Sequence, residues 1–484
     1  MFSFALTPWF KTPSPTAAPS GQEPIMFSTL LNTWMLAGTP QGALMSFRQE
    51  ADAYLREYPH TRHVDIYLHD LNGCRRGKRI SAESLRSLAQ GCYFPLSVYA
   101  MDMEGHVVES ALAQREPDRL CLPVSGTLRP CASDPAHHAQ LLLAMQEPDG
   151  AGCALEPRVV LERLLAQFHA RGLYPVIAPE VEFYLQAVDS APPTSRCFDI
   201  DMPERDSALL EAMETEARRQ GLPLCGIVAE AQAGQFELNF PHTPRVVEMC
   251  DRVLAARRLA HQVAEKQGYR ASFMAKPRAE QAGSGLHIHI SLNDAQGNNL
   301  FASDAGNPNV MMRRSLSGLL ALMPASVALV TPGANAFRRL RKSLNEPLFS
   351  SWGYNDRSAA LRLPCASPAS QRIEYRLASA DANPYLVAAA ALAGILYGLD
   401  RPLTLPEPGA SAELPALPLF WPDALARFQE AKWLQEQLGA PFSDAWLACK
   451  RQELARFESE VTDAEKRAIP TSHVKRGESC LASS

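Results

Sequence analysis

The sequence predicts an α+β protein of two domains. Three observations lead there. The 484 residues exceed what one ordinary hydrophobic core holds. Segments of helical periodicity and segments of strict alternation both occur, with no evident internal repeat. A turn-rich stretch, "EPDGAG" at 147–152, places a boundary near residue 150.

The elements follow in order. Residues 1–30 contain "TPSPTAAPSGQEP", rich in Pro, Ser and Ala, and are expected to be a disordered leader. The stretch lacks the basic start and continuous apolar core of a signal peptide, and Met26 is an alternative start. A first domain is expected over 40–150. Within it, 43–57 has helical periodicity, and "HVDIYLHDLNGCRRGKRI" (63–80) reads as a hairpin turning at Asn72-Gly73. Residues 82–150 read as irregular, with several Pro and Gly. A larger domain is expected over 151–484. It opens with a helix over 157–173 that ends at a Gly, then a strand, "YPVIAPEVEFYLQAV". "GIVAEAQAGQFELNF" (226–240) reads as strand, turn, strand. The longest apolar run, "YLVAAAALAGILYGL" (385–399), is too short to span a membrane comfortably and reads as a buried helix.

Composition narrows the function. Hydrophobic residues at 46% and charged residues at 20% suit a soluble globular protein. A net charge of −5 argues against a nucleic-acid binder, which is normally basic. The 11 cysteines form no C-x-x-C pair, which suits reduced thiols in the cytoplasm.

Charged residues recur inside the apolar strands. Glu180 and Glu182 sit two apart in "EVEFYL" and point the same way. Glu230 and Glu237 lie on the arms of the next hairpin. His287 and His289 share a face of "GSGLHIHISL", and Arg372, Glu374 and Arg376 alternate in "QRIEYRL". Each has a structural alternative. Exposed glutamates are common, a His-x-His pair is more often packed than ligating, and Glu between two Arg is often an ion-pair row. Convergent carboxylates repel, however, and would take up protons unless cations lay among them. Oxygen donors with a single His suit magnesium or manganese rather than structural zinc. Arg338, Arg339, Arg357, Arg362, Arg372 and Arg376 add anion-binding capacity. Metals with arginines point to phosphoryl chemistry on a nucleotide, yet no P-loop or kinase signature is present.

The ordered set "PEVEFYL", "EAQAGQFEL", "FMAKP", "GSGLHIHISL", "NAFRRL", "DRSAALRLP" and "RIEYRLASADANPYL" resembles the glutamine synthetase family. The resemblance implies a small β-grasp-like N-terminal domain before a larger catalytic domain with a curved antiparallel sheet and helices. It implies a homo-oligomer of double rings, a dodecamer, with active sites between subunits. Glu182, Glu230 and Glu237 match the ligands of one metal, and Glu180, His287 and Glu374 those of a second. Arg339 matches an arginine gripping the glutamate carboxylate, with Gly283 and Arg376 on the same side. Arg357 and Arg362 match those facing the transferring phosphate. Ser291, Arg362 and Arg372 fall on the ATP side. ATP would phosphorylate the glutamate side chain, and an amine would then attack the acyl phosphate.

Departures from the family pattern concern the amine. Pro95 stands at or near the place of the aspartate that handles ammonium. Asn345, with Glu346 next to it, stands where a flap glutamate is expected. Losing both acids weakens deprotonation of ammonium. "SSWGYNDRSA" resembles a segment of the γ-glutamylpolyamine and γ-glutamylputrescine synthetases. Trp352 and Tyr354 are therefore expected at an amine pocket, with Asp102, Glu104 or Glu346 meeting a cationic tail. Ala282 stands where the family usually has a glutamate-holding Asn. The expected function is ATP-dependent ligation of glutamate to an organic amine. The alternatives are ammonia-dependent glutamine synthesis and a non-catalytic relative.

Overall fold

The computed structural model describes residues 40–111, 117–189, 196–303, 307–341, 347–409 and 414–468. The expected leader with Met26 lies outside them, as do Asn345 and Glu346. The chain begins with α1 (Pro40–Glu57). Its Phe47, Ala51 and Tyr54 are spaced four and three apart, so they share one buried face.

Six strands then form a mixed sheet: β1 (His63–His69), β2 (Arg75–Ser81), β3 (Cys92–Pro95), β4 (Asp118–Pro123), β5 (Arg129–Pro130) and β6 (His138–Met145). The order is β2-β1-β6-β4-β3, with β5 also paired to β6. The β1–β2 hairpin turns where expected, and Gly73 takes a φ of +76°, which suits glycine. Asp70 holds the turn by accepting from the backbone N–H of Asn72 and Cys74 and from Arg76. The stretch 82–150 is not irregular, which corrects the sequence reading. β6 pairs parallel to β1 and is buried on both faces, so it shows no alternation. β3 and β5 are too short to leave a pattern.

Helix α2 (Pro157–His169) follows. It stops short of the expected residue 173, because Gly172 adopts a φ of +69° in a turn. The next elements are β7 (Tyr174–Ala187), α3 (Glu204–Arg219), β8 (Gly226–Ala229), β9 (Gln235–Asn239), α4 (Val246–Lys266), β10 (Tyr269–Ser272) and β11 (Leu286–Asn293). Then come α5 (Val310–Val330), α6 (Ala334–Arg341), β12 (Trp352–Tyr354), β13 (Leu361–Leu363), β14 (Ile373–Tyr375) and α7 (Pro384–Leu399). Helices α8 (Trp421–Glu430), α9 (Lys432–Leu438) and α10 (Ala440–Ser459) come near the end of the described chain.

The second sheet runs β12-β13-β14-β11-β7-β9-β8, with β10 beside the far end of β7. It is antiparallel as expected, except for the parallel pair β12–β13. Val181, Phe183, Phe236, Leu238, Leu286, Ile288 and Ile290 alternate onto one buried face. The opposite face carries the charged residues. Helix α7 is the Ala-rich run and is buried nearly throughout. It packs on α5, where a Cβ at Gly398 would stand 2.0 Å from the Arg314 carbonyl, so only glycine allows this approach. Among the described residues, no helix is long and apolar enough to cross a membrane.

Candidate active site

Strand register assembles the site. Glu180 lies opposite His287 on β11 and Asn239 on β9, and Glu182 lies opposite Glu237. His289 lies opposite Glu374, which lies opposite Arg362 on β13. Opposed residues share a face, so period-two spacing within each strand becomes one charged surface across five strands. Ser291 continues the row of His287 and His289 along β11.

Two halves of this surface differ. In the first, Glu182, Glu230 and Glu237 each place an oxygen within 4.8 Å of the others. Glu230 sits just past β8, and its N–H donates to the Gln235 carbonyl to close the hairpin. Burial pushes the Glu237 carboxyl well up, and Glu180, Glu182 and Glu230 push the same way. Burial raises Glu230 too, against the Ala231 N–H and Arg357. Glu182 accepts from the Gly285 N–H at 2.6 Å, and Asn239 donates to Glu237 at 3.1 Å.

In the second half, cations already balance the acids. Burial would raise Glu374, but Arg376, His289, His287 and Arg362 outweigh it and hold it at about 2. Arg362 donates to it at 2.6 Å, and Arg376 donates to its other oxygen. Burial also opposes ionisation of Glu180, yet His289 and His287 hold it well below the usual range. His287 Nδ1 lies 3.8 Å from Glu180 and 3.9 Å from Glu374. Burial and Arg376 lower its own pKa to about 4, so it is neutral and able to donate a lone pair. The set is rich in hard oxygen donors with imidazole beside them, which fits divalent cations such as magnesium or manganese.

The remaining expected residues fall at different distances from this surface. Arg339 is buried and donates to the carbonyls of Leu377, Ala378 and Arg376. Gly283 lets it approach, since a Cβ there would meet the Arg339 side chain at 2.6 Å. Arg372 donates to His289 Nδ1 at 3.2 Å. Arg357 is exposed on the turn after β12, close enough to Glu230 to affect its charge. The residues expected at the amine are placed as follows. Trp352 is 3% exposed and donates its N–H to the Pro406 carbonyl, so its ring is core rather than pocket wall. Tyr354 packs edge-on against it and is the exposed member of the pair. Asp102 and Glu104 are both taken by Arg456.

Sequence reasoning passed over two residues. His289 was grouped with His287 but given no role, yet it joins Glu180 at 2.9 Å to Arg372. Asn239 steadies Glu237. The signal for both was position, two residues from a named site residue on the same strand face.

Comparison with known proteins bears on the family. Residues 154–469 match the glutamine synthetase catalytic domain. The chain is 45% identical to the γ-glutamylputrescine synthetase of Escherichia coli over 443 residues, covering 87% of this chain and 94% of that one. It is 28% identical to a γ-glutamylethanolamide synthetase of Streptomyces coelicolor, covering 82% and 90%. It is 27% identical to a glutamate–isopropylamine ligase of a Pseudomonas species, covering 70% and 78%. A solved structure of GmaS with ADP superposes with a TM-score of 0.76 at 27% identity, covering 86% of this chain and 98% of that one.

Proposed function

The chain belongs to the glutamine synthetase family, and from that premise we propose that it is an ATP-dependent ligase joining the glutamate γ-carboxylate to an organic amine of putrescine type. The observation that carries the reading is the charged face of the second sheet, where Glu182, Glu230 and Glu237 bring oxygens within 4.8 Å of one another, and burial with the neighbouring carboxylates pushes Glu237 well up. The extent of likeness to a synthetase acting on putrescine supports the choice of amine.

In this reading Glu182, Glu230 and Glu237 hold one magnesium or manganese ion, and Glu180, His287 and Glu374 hold another. Bound there, the ions would neutralise phosphate charge and polarise the transferring group. The chain's own groups do the rest. Arg357 and Arg362 face the phosphoryl group, and Ser291 and Arg372 lie toward the nucleotide. Arg339, Arg376 and Gly283 shape the glutamate side. The glutamate γ-oxygen attacks the terminal phosphorus of ATP, and ADP leaves. The neutral amine then attacks the γ-carbonyl carbon of the acyl phosphate. Phosphate departs with the bond electrons, and the amine nitrogen loses a proton to water or a nearby base. Pro95 offers no acid for ammonium, so tail contacts of an organic amine, with Tyr354 as an exposed aromatic on β12, favour the larger nucleophile.

Double-ring assembly belongs to the same reading. Tyr93, 62% exposed on the edge strand β3, offers apolar surface that a neighbouring subunit would cover. A cytoplasmic setting is supported by the described cysteines, which are all free. The test is product identity. Glutamate, ATP and magnesium are mixed with putrescine and ammonium at equal concentration, and the products are weighed by mass spectrometry. γ-Glutamylputrescine should dominate, and glutamine as the main product would overturn the reading.

A further inference from the structure

A second concentration of charge lies away from the carboxylate surface, between the first sheet and α4. Tyr67 and His69 alternate onto one face of β1, and Arg75 on β2 is the direct cross-strand partner of His69. Helix α4 brings Arg257 and Arg258 against this face. Arg258 lies 5.7 Å from the centre of the Tyr67 ring. His69 lies edge-on to Tyr67, with ring centres 5.2 Å apart, and 6.2 Å from the Tyr385 ring.

The charge here closes only in part: Asp381 lies near enough to support the Arg257 charge, but not within ion-pair distance. Arg258 is paired with Asp65 at 2.6 Å, and Asp65 is already shared with Arg79 and His138. Neither Arg75 nor Arg257 forms an ion pair with a carboxylate among the described residues. Arg257 is 8% exposed and spends one nitrogen on the Ala382 carbonyl, at 2.9 Å, while Nε and Nη2 are buried without a partner. His69 is 6% exposed, and neither ring nitrogen has a partner. Buried polar groups are nearly always satisfied, so such a group signals something that completes it. Burial, then the positive charge of Arg75, Arg258 and Arg257, keep His69 neutral. A neutral imidazole can still donate one N–H. Arg75 stands at the sheet edge, the solvent-facing member of the group.

We propose that Arg75, Arg257 and His69, with Arg258 behind them, form a binding site for a compact dianion between the β1–β2 hairpin and α4. Guanidinium groups match the oxygens of phosphate or of a carboxylate. Both phosphate and a small dicarboxylate carry this chemistry. The anion would tie the first sheet to the helix that follows β9, and so stabilise their contact. The site is independent of the ligase reading, because it binds without turnover.

The test is binding to the intact chain in chelator without nucleotide. Inorganic phosphate and succinate are titrated separately at constant ionic strength, with chloride as control, by calorimetry and thermal unfolding. At least one dianion should bind saturably and raise Tm where chloride does not. Arg75→Gln should weaken that binding at least tenfold, Arg75→Lys should retain part of it, and Arg357→Gln should leave it unchanged. Arg75 is exposed on an edge strand, so its variants should fold. His69→Asn, which keeps one donor, gives a second reading of the same site. The proposal fails if neither dianion binds beyond chloride. It also fails if binding survives Arg75→Gln or is lost in Arg357→Gln, which would place the anion at the carboxylate surface instead.

Discussion

Two regions of this chain bury charge and treat it in opposite ways. Where the β1–β2 hairpin meets α10, the buried charges of Lys450 and Asp70 close on partners. Lys450, fully buried, donates to Asn72 and to Glu453. Asp70, also fully buried, is met by Arg76 and two backbone N–H groups. On the face of the second sheet, Glu182, Glu230 and Glu237 gather with one sign. Closed pairs hold the fold together, whereas a same-sign cluster costs stability unless something outside the chain completes it. The difference separates a structural network from a binding surface without any appeal to sequence likeness.

The largest effect expected from breaking this contrast is on turnover. Glu182→Gln should lower metal-dependent ADP release by about 10³-fold, roughly 4 kcal/mol in barrier. An amide is a poorer ligand for a hard cation, and unfolding in chelator should be no earlier than for the native chain. Near-native turnover would make the cluster a solvated face after all.

Next in size is the converse. Lys450→Met should cost about 3 kcal/mol of stability in denaturant unfolding, because it strands Glu453 and Asn72. The KM values for ATP and glutamate of the folded variant should stay close to native. Trp352→Ala should fall in the same class, at about 3 kcal/mol, since it empties a core site. If it instead raised the amine KM and left stability alone, Trp352 would line the amine pocket after all.

A smaller change is expected at Tyr354. Tyr354→Ala should raise the putrescine KM by a few-fold, with little change in the ATP KM. Equal changes in both would remove Tyr354 from the amine side.

The finest distinction is pH dependence. Glu237 is held above its ordinary value, so the folded chain binds more protons there than the unfolded chain. That contribution to stability therefore falls as pH rises above the unfolded carboxyl value of about 4.3. Glu374, held at about 2, does the opposite and loses its contribution only as pH falls below the unfolded value. In chelator, the native chain should lose stability relative to Glu237→Gln between pH 5.5 and pH 7.5. Saturating magnesium should reverse that ranking. Parallel curves in chelator would contradict the account of the cluster.

How far the sequence carried this picture depends on burial pattern. β7, β9 and β11 bury one face and show the other, so alternation exposed both the strands and the row of Glu180, Glu182 and His287. β6 is buried on both faces, and its pairing with β1 crosses a long connection, so nothing local marked it. The three-residue strands β12, β13 and β14 are held by tertiary context rather than by pattern. Trp352 misled because an aromatic next to a glycine and an exposed tyrosine looks alike whether it faces a pocket or a core. Its bond to Pro406, 54 residues away, is a tertiary contact that the sequence does not show.

The central claim is that the same-sign face of the second sheet is completed by divalent cations. Manganese binding by the nucleotide-free chain, followed by electron paramagnetic resonance, tests it most directly. The account predicts two or more saturable sites per chain, with Glu182→Gln losing one and Lys450→Met losing none. Absence of saturable manganese, or an unchanged count in Glu182→Gln, would contradict it.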